Sequence, residues 1–509
     1  MSNVFDEFLK ENDIDIDYKN LKYVHPSYIN EDRLFEALDD IRLNKKRVMI
    51  FGDCDPDGLM SAIQFREVLD RFNHNNYKLW NYKSRDHSID EDCIYECIEG
   101  KYDYIVILDV GTNEIDKIKK LTTFGVKVII IDHHVGNYSF DSYDKDCIIV
   151  NSSMNNRKDD RFLYTLSAGA LTFTLLYKYG SLNKLDLSGL SIHALISLYS
   201  DCIDMSQELN KSIYNLAVSQ PLSAYPYFVR DFMTRGSSFR RRFIEFSLVP
   251  KINSLFRAEE FGVLNSYFFD NTITSFARNK ILEMIKDIHT EKRKMINRVT
   301  DLVQREVLQN FVIANLSTSG IETTESKLYN YTGIIANNLA QEYSKPCIVL
   351  CDNGIEVKAS FRDILGRNYL DIFKQFCRCG GHPAAFGIHL AYIELSGFIS
   401  MLKNTVDKKF SIYGLQDNLI IEMFDAVPDV KLLTRIAEYN EFSGIQLPVA
   451  LIKKRHLMKE LSTFKKDYYT YMWGDQKVTS NYKLVKGSYI KVKPVFTSNL
   501  KLITYTRGS

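Results

Sequence analysis

Three short apolar runs, each ending in aspartate, constrain this chain more than any other feature. Val48-Met49-Ile50-Phe51-Gly52 leads into Asp53-Cys54-Asp55-Pro56-Asp57-Gly58, Tyr104-Ile105-Val106-Ile107-Leu108 ends in Asp109, and Val126–Ile131 ends in Asp132-His133-His134. Apolar runs of this length read as buried strands, and the segments 58–72 and 114–122 between them read as helices. Strand–helix alternation with strands apolar throughout predicts an α/β fold built on a parallel sheet covered by helices. Ligands in such sheets bind in the crevice at the carboxyl ends of the strands. The aspartates stand at those ends.

Asp53, Asp55 and Asp57 alternate as the chain leaves the first run. Alternate residues of an extended chain point the same way, so the three carboxylates converge on one point. Converging negative charges repel unless a cation lies among them, and hard divalent cations such as Mg²⁺ or Mn²⁺ prefer oxygen ligands. Asp201, which closes Ala194-Leu-Ile-Ser-Leu-Tyr-Ser200, brings the set to six aspartates beside the two histidines. One aspartate at a strand end is an ordinary turn former. Three consecutive strands ending in acidic clusters are a pattern, and the pattern is that of a metal site.

The rest of the 509 residues is too much chain for one domain. Leu34, Leu38 and Ile41 mark a helix in the lead-in, and residues 160–235 read as mostly helical. Arg235–Arg242 reads as an exposed arginine-rich bend. Residues 275–309 contain no Gly or Pro and predict one long helix of about 52 Å, a solvated connector. A second α/β segment follows, with strands near Phe311–Ala314 and Cys347–Leu350. From Val449 onward, alternating charged, aromatic and β-branched residues predict a small antiparallel sheet or barrel. The expected domains are 1–235, a connector 236–310, 311–415 and 416–509.

Net charge is only +1, yet residues 449–509 carry 13 Lys/Arg against 3 Asp/Glu. A basic tail on an acidic body predicts a polyanionic ligand held at one end. The nine cysteines are dispersed with no C-x-x-C, as in reduced cytosolic proteins. No run of about 18 apolar residues predicts a membrane span, and the first residues lack the basic and apolar regions of a signal peptide. The expected location is therefore cytoplasmic, and the Lys-, Asn-, Ile- and Tyr-rich composition fits a bacterial or phage genome.

Taken in order, Asp53-Cys-Asp-Pro-Asp57-Gly, strand-Asp109, Asp132-His133-His134 and Asp201 resemble the four motifs of the DHH phosphoesterase superfamily. Cys379-Gly380-Gly381-His382-Pro383 resembles the glycine–histidine motif of the accompanying DHHA1 domain. Within the superfamily the chain is most similar to RecJ-type single-strand-specific exonucleases. Pro250-Lys-Ile-Asn253 with Arg257, Gly333-Ile-Ile-Ala336, and Ser360-Phe361-Arg362 are similar to RecJ segments, and the basic tail sits where RecJ proteins carry an OB-fold. The chain departs from the pattern at Asp109-Val-Gly, where RecJ proteins commonly show Asp-Asn-Gly, and in the missing glycine of Asn253-Ser-Leu-Phe-Arg257.

The resemblance implies two divalent cations, Mn²⁺ or Mg²⁺, held by Asp53, Asp55, Asp57, Asp109, His133 and Asp201, with Asp109 bridging. Asp132 is then a carboxylate orienting a histidine, and His134 a phosphate ligand or proton donor, a role histidine often fills. Arg257, Ser360, Arg362, Gly380, Gly381 and His382 are implied phosphate or strand contacts. In the tail, Lys453, Lys454 and Arg455 would track a phosphate backbone and Tyr469 and Trp473 would stack bases. The implied activity is metal-dependent hydrolysis of single-stranded DNA, 5′ to 3′, with RNA left open and a helicase or single-strand-binding protein as further partner candidates. A phosphodiesterase for cyclic dinucleotides or short oligonucleotides, and a non-catalytic DNA-binding scaffold, are the two alternative readings.

Overall fold

The computed structural model describes residues 21, 23–154, 166–205, 207–234, 237–270, 272–317, 328–343, 345–352, 354–363, 369–382, 384–407, 420–424, 430–442, 449–453, 459–461, 469–473, 476–480, 489–496 and 500–504. These fall into two compact units that divide between Lys286 and Asp287.

In the first unit, helix α1 (Glu31–Leu43) precedes a five-stranded parallel sheet: β1 (Val48–Gly52), β2 (Tyr77–Leu79), β3 (Tyr104–Leu108), β4 (Lys127–Asp132) and β5 (Cys147–Asn151). Its order is β2-β1-β3-β4-β5, every pairing parallel. Helices α2 (Pro56–Arg71), α3 (Glu91–Glu99) and α4 (Ile115–Thr123) link the first four strands. The residues of β1 and β3 are buried throughout, as expected of strands covered on both faces. One core cluster sets Met49 and Phe51 of β1, Ile105 and Ile107 of β3, and Val128 and Ile130 of β4 against Cys93 and Cys97 of α3 and Ile118 and Leu121 of α4.

This strand order reverses direction between β1 and β3, which makes the crevice at their carboxyl ends a topological switch point. The register carries the effect into atoms. Gly52 pairs with Leu108 and Leu108 with Ile131. The amide of Asp53 donates to Leu108 O and that of Asp109 to Ile131 O, each at 3.0 Å. The strand-end aspartates are thus laid side by side by the ladder itself. Strand β2 has only three residues and no apolar run to mark it, and the apolar run of β5 closes on Asn151 rather than on an aspartate.

Helices α5 (Ala168–Leu182), α6 (Ser191–Ser200) and α7 (Glu208–Val218) follow. All of α6 except Ser200 is buried, and it packs with α2 and α5. The arginine-rich bend is not simply solvated. Arg241 Nε lies 2.9 Å from Glu245 Oε1, and Arg240 donates to Tyr214 Oη at 3.3 Å; Arg235 and Gly236 lie outside the described residues. Helix α8 (Val249–Ala258) carries Arg257 in its last turn.

The long helix α9 runs Ser275–Leu302, about 42 Å, shorter than expected. Gln304–Val307 forms β6, an edge strand antiparallel to β7 (Val312–Asn315). A tertiary partner strand overrides a sequence that carries no helix breaker there.

The second unit holds two sheets. The first has order β10-β11-β9-β8-β7-β6, with β8 (Cys347–Asp352), β9 (Glu356–Arg362), β10 (Arg378–His382) and β11 (Ala385–Ala391), and only β7–β8 is parallel. Helix α10 (Thr332–Tyr343) packs on β8 and β9. The second sheet has seven strands, β12 (Ile420–Phe424), β13 (Val449–Lys453), β14 (Lys459–Leu461), β15 (Tyr469–Trp473), β16 (Gln476–Ser480), β17 (Tyr489–Phe496) and β18 (Leu500–Thr504). It is larger and more mixed than the antiparallel sheet expected. β12–β13 and β16–β18 are parallel, and helix α11 (Val430–Phe442) packs on β17.

Candidate metal centre

Asp53 follows β1 directly, and Asp55 caps α2 by accepting the Gly58 amide at 3.0 Å. Pro56 at the first helical position suits the cap, because its missing N–H is not needed there. The glycines let this turn fold tightly. A Cβ on Gly58 would stand 2.4 Å from Asp53 N, and one on Gly52 would stand 2.5 Å from Gly58 O. Asp57 is fully buried. Its Oδ2 accepts the Ala168 amide and its Oδ1 the Gly169 amide, each at 2.8 Å, and Ser197 Oγ also donates to Oδ1. Asp57 therefore binds the first turn of α5 as well as facing the site.

Asp109 holds φ +67°, left-handed backbone that aspartate tolerates better than most residues, and Gly111 follows at +106°. Strain of this kind gathers at functional sites. Asp132 is an anchor. Its Oδ1 accepts the amides of His133 (2.7 Å) and His134 (3.2 Å) and the ring Nδ1–H of His134 (2.8 Å), while Oδ2 accepts the Thr112 amide at 3.2 Å. His133 Nε2 then sits 3.3 Å from Asp109 Oδ1, 3.4 Å from Asp201 Oδ2 and 3.9 Å from Asp57 Oδ2. Asp201 caps the end of α6.

Among the described residues, ligand atoms of Asp57, His133 and Asp201, of Asp109, His133 and His134, of Asp53, Asp55 and Asp109, and of Asp53, Cys54 and His87 fall into four groups, the atoms of each within 4.8 Å of one another. With Asp132 holding both histidines, all eight residues singled out at the strand and helix ends are therefore brought together. Sequence patterning missed one further member, His87, whose Nδ1 lies 2.6 Å from Asp53 Oδ2. It sits in the loop after β2, again at the carboxyl end of a parallel strand, but β2 is too short to announce itself.

The electrostatics ask for positive charge. Burial, then the charges of Asp57, Asp55 and Asp201, push the Asp109 carboxyl well above the usual range. Burial, then Asp57 and Asp55, do the same to Asp201. Burial, then Asp53 and Asp57, push Asp55 up to about 6. The Oδ1 atoms of Asp53 and Asp109 are buried with no hydrogen-bond partner. Buried carboxylate oxygens without donors fit a hard divalent cation, and the oxygen-rich set with little imidazole fits Mn²⁺ or Mg²⁺ better than Zn²⁺. His134 is different. Burial would lower it, but its hydrogen bond with Asp132 and that carboxylate's charge push it up to about 9. Burial alone would raise Asp132; the His134 hydrogen bond and charge hold it well below the carboxylate range.

Residues 47–195 match the model of the DHH family, N-terminal domain. This segment is similar to the DHH family over about three tenths of the chain. The DHH domain so matched contains every aspartate and histidine of the centre except Asp201. "Single-stranded-DNA-specific exonuclease RecJ" of Bacillus subtilis is 22% identical over 450 residues, which are 84% of this chain and 53% of that one. This chain thus spans about half the length of that relative. In structure, RecJ of Thermus thermophilus in complex with Mn²⁺ matches with a TM-score of 0.71 at 13% identity, covering 96% of this chain and 72% of that one. The same protein with Mg²⁺ gives 0.66 at 12% identity, covering 96% and 71%. The fold is therefore RecJ-like, with the DHH plus DHHA1 architecture.

Beyond the DHH domain, the remaining predicted residues fall in separate places. In the second unit, Ser360 Oγ is 2.9 Å from Thr332 Oγ1 at the start of α10, and Arg362 donates to Phe361 O at 2.6 Å. A Cβ on Gly333 would stand 2.6 Å from Arg362 Nη2, so that glycine makes room for the guanidinium. Gly380, Gly381 and His382 lie on β10 itself, paired with β11, rather than in a turn. Gly380 is exposed with open space at its Cβ position, whereas Gly381 holds φ +133° with Ala385 O only 2.8 Å away. Lys453 and Tyr469 lie on β13 and β15; Lys454 and Arg455 lie outside the described residues. Trp473 is 1% exposed and Tyr471 3%. Alternation along β15 turns both rings inward, so Trp473 is core and no platform for a base.

Proposed function

We propose that this chain is a metal-dependent exonuclease that hydrolyses single-stranded DNA from the 5′ end by a two-metal mechanism. The observation that carries the reading is the convergence of Asp53, Asp55, Asp57, Asp109, His133 and Asp201 at the β1/β3 switch point, with His134 held beside them by Asp132. The single-stranded-DNA specificity of the Bacillus relative supports the substrate class, and the Mn²⁺- and Mg²⁺-bound neighbours support the choice of cation. Polarity rests on the RecJ resemblance.

Two divalent cations held by these residues would activate water, neutralise the phosphate and stabilise the leaving oxygen. Asp109 belongs both to the Asp53–Asp55 group and to the His133–His134 group, so its carboxylate would help to hold both cations. Asp132 holds the His134 ring by Nδ1, which leaves Nε2 to donate a hydrogen bond to a phosphate oxygen or a proton to the leaving alkoxide. Nearly half of the His134 side chain is exposed, so it can meet a substrate. Arg257, Ser360, Arg362, the Gly380-Gly381-His382 strand, Lys453, Lys454 and Arg455 are proposed to hold the strand, the basic side chains by phosphate contact.

The test is a digestion panel with Mn²⁺ or Mg²⁺ on 5′- and 3′-labelled single strands, blunt duplex, RNA and cyclic dinucleotides. Release of mononucleotides from the 5′ end of single-stranded DNA is expected, abolished by Asp109→Ala with strand binding retained. Equal rates on duplex, or turnover confined to dinucleotides, overturns the substrate assignment.

A further inference from the structure

The two oxygens of Asp53 meet different environments. One, Oδ1, is buried and has no hydrogen-bond partner. The other, Oδ2, lies 2.6 Å from His87 Nδ1. A carboxylate only accepts, so Nδ1 carries the hydrogen and donates. Cys54 Sγ, 3.8 Å from the same nitrogen, is a weaker second neighbour.

His87 is itself held in place from both sides. Lys117 of α4 donates to Ser88 Oγ at 2.5 Å and to Ile89 O at 2.6 Å, and Glu114 Oε2 accepts the Ile89 amide at 3.1 Å. On the other side, Trp80 Nε1 donates to Asp90 Oδ2 at 3.2 Å. The loop 83–90 is therefore tied to the helices that flank the switch point, and it delivers the imidazole to Asp53 on a fixed frame.

We propose that His87 is a positioning residue for the metal centre: its Nδ1–H holds Asp53 Oδ2, so that the buried Oδ1 is presented as the ligand. This rests on the reading of Asp53 as a metal ligand. The imidazole acts from outside the coordination set, where a hydrogen-bonding partner fixes the ligand's orientation and sharpens affinity. It gives Asp53 what Asp57 obtains from backbone amides.

The side chain of His87 is 52% exposed, so its removal leaves no core cavity. The experiment measures Mn²⁺ affinity of the full chain, without substrate, by calorimetry and by the loss of the free-ion electron spin resonance signal. Wild type, His87→Ala, His87→Asn and Asp109→Ala are compared, with circular dichroism and Tm in EDTA as controls for folding. His87→Ala is expected to weaken Mn²⁺ binding about 10–100-fold, the usual cost of losing such a partner, with Tm in EDTA unchanged. His87→Asn, whose amide nitrogen takes the place of Nδ1, is expected to recover most of that loss, which a directly ligating imidazole would not allow. Unchanged affinity in His87→Ala, or an Asn variant as weak as Ala, overturns the positioning role while Asp109→Ala still reports a metal centre. Absence of Mn²⁺ uptake by the wild-type chain overturns both that reading and this one.

Discussion

Asp57 Oδ1 accepts the amide of Gly169, 112 residues away, at 2.8 Å. Oδ2 takes the neighbouring Ala168 amide, so a single carboxylate closes the first turn of α5 and stands 3.9 Å from His133 Nε2. Asp57 is thus a structural cap and a residue of the proposed metal centre at once, and its removal should show both losses. Asp57→Ala strands two buried amides and is expected to lower stability by roughly 1–3 kcal/mol. Urea unfolding in EDTA measures this free of any metal effect. A stability equal to wild type there would mean the cap carries no weight.

Asp109 is expected to behave in the opposite way. Its carboxyl is buried, repelled by Asp57, Asp55 and Asp201, and set on left-handed backbone at φ +67°. Asparagine keeps the tolerance for that backbone and removes the charge. Asp109→Asn should raise Tm in EDTA and should abolish the rise in Tm that Mn²⁺ gives the wild type. Ligand at one hundred times its Kd adds about 2.7 kcal/mol, so the wild type overtakes the variant once metal is supplied. A variant less stable than wild type in EDTA contradicts the repulsion argument.

Packing requires glycine at Gly58 and Gly381 but not at Gly380. A Cβ on Gly58 meets the Asp53 backbone at 2.4–2.5 Å, and neither atom can swing aside. Gly58→Ala should therefore cost about 1–3 kcal/mol and weaken Mn²⁺ binding by displacing Asp53. On β10, Gly381→Ala is strained by φ +133° and by Ala385 O, whereas Gly380→Ala enters open space and should fold with wild-type Tm. Comparable melting of the two β10 variants would refute the assignment.

Acid sensitivity should trace in part to His193, which is buried on α6. Burial lowers its pKa below the ordinary 6.5, although Glu67 Oε1, 3.4 Å from Nε2, pulls the other way. Above pH 6.5 the ring is neutral in both folded and unfolded chains and contributes nothing. As pH falls below 6.5 the unfolded chain takes up the proton first, so stability declines until the folded pKa is reached. The slope from this one group is at most about 1.4 kcal/mol per pH unit. In chemical denaturation between pH 7.5 and 5.5, His193→Leu should lose less stability than wild type; equal losses would exonerate the histidine.

The sequence by itself determined which residues stand at the strand ends. Runs such as Ile105–Leu108 are apolar throughout because both faces of β3 are covered, and that is legible residue by residue. The acidic residues that close those runs were legible for the same reason, since a charge ends a buried strand. What only the tertiary structure decided is which ends meet. The order β2-β1-β3-β4-β5 puts Asp53 beside Asp109, and long-range contacts bring Ala168, Gly169 and Ser197 to Asp57 and the loop of His87 to Asp53. The conversion of 304–307 from helix to edge strand and the inward turn of Trp473 belong with these. Each depends on a hydrogen bond or a packing partner far away along the chain, where local periodicity carries no information.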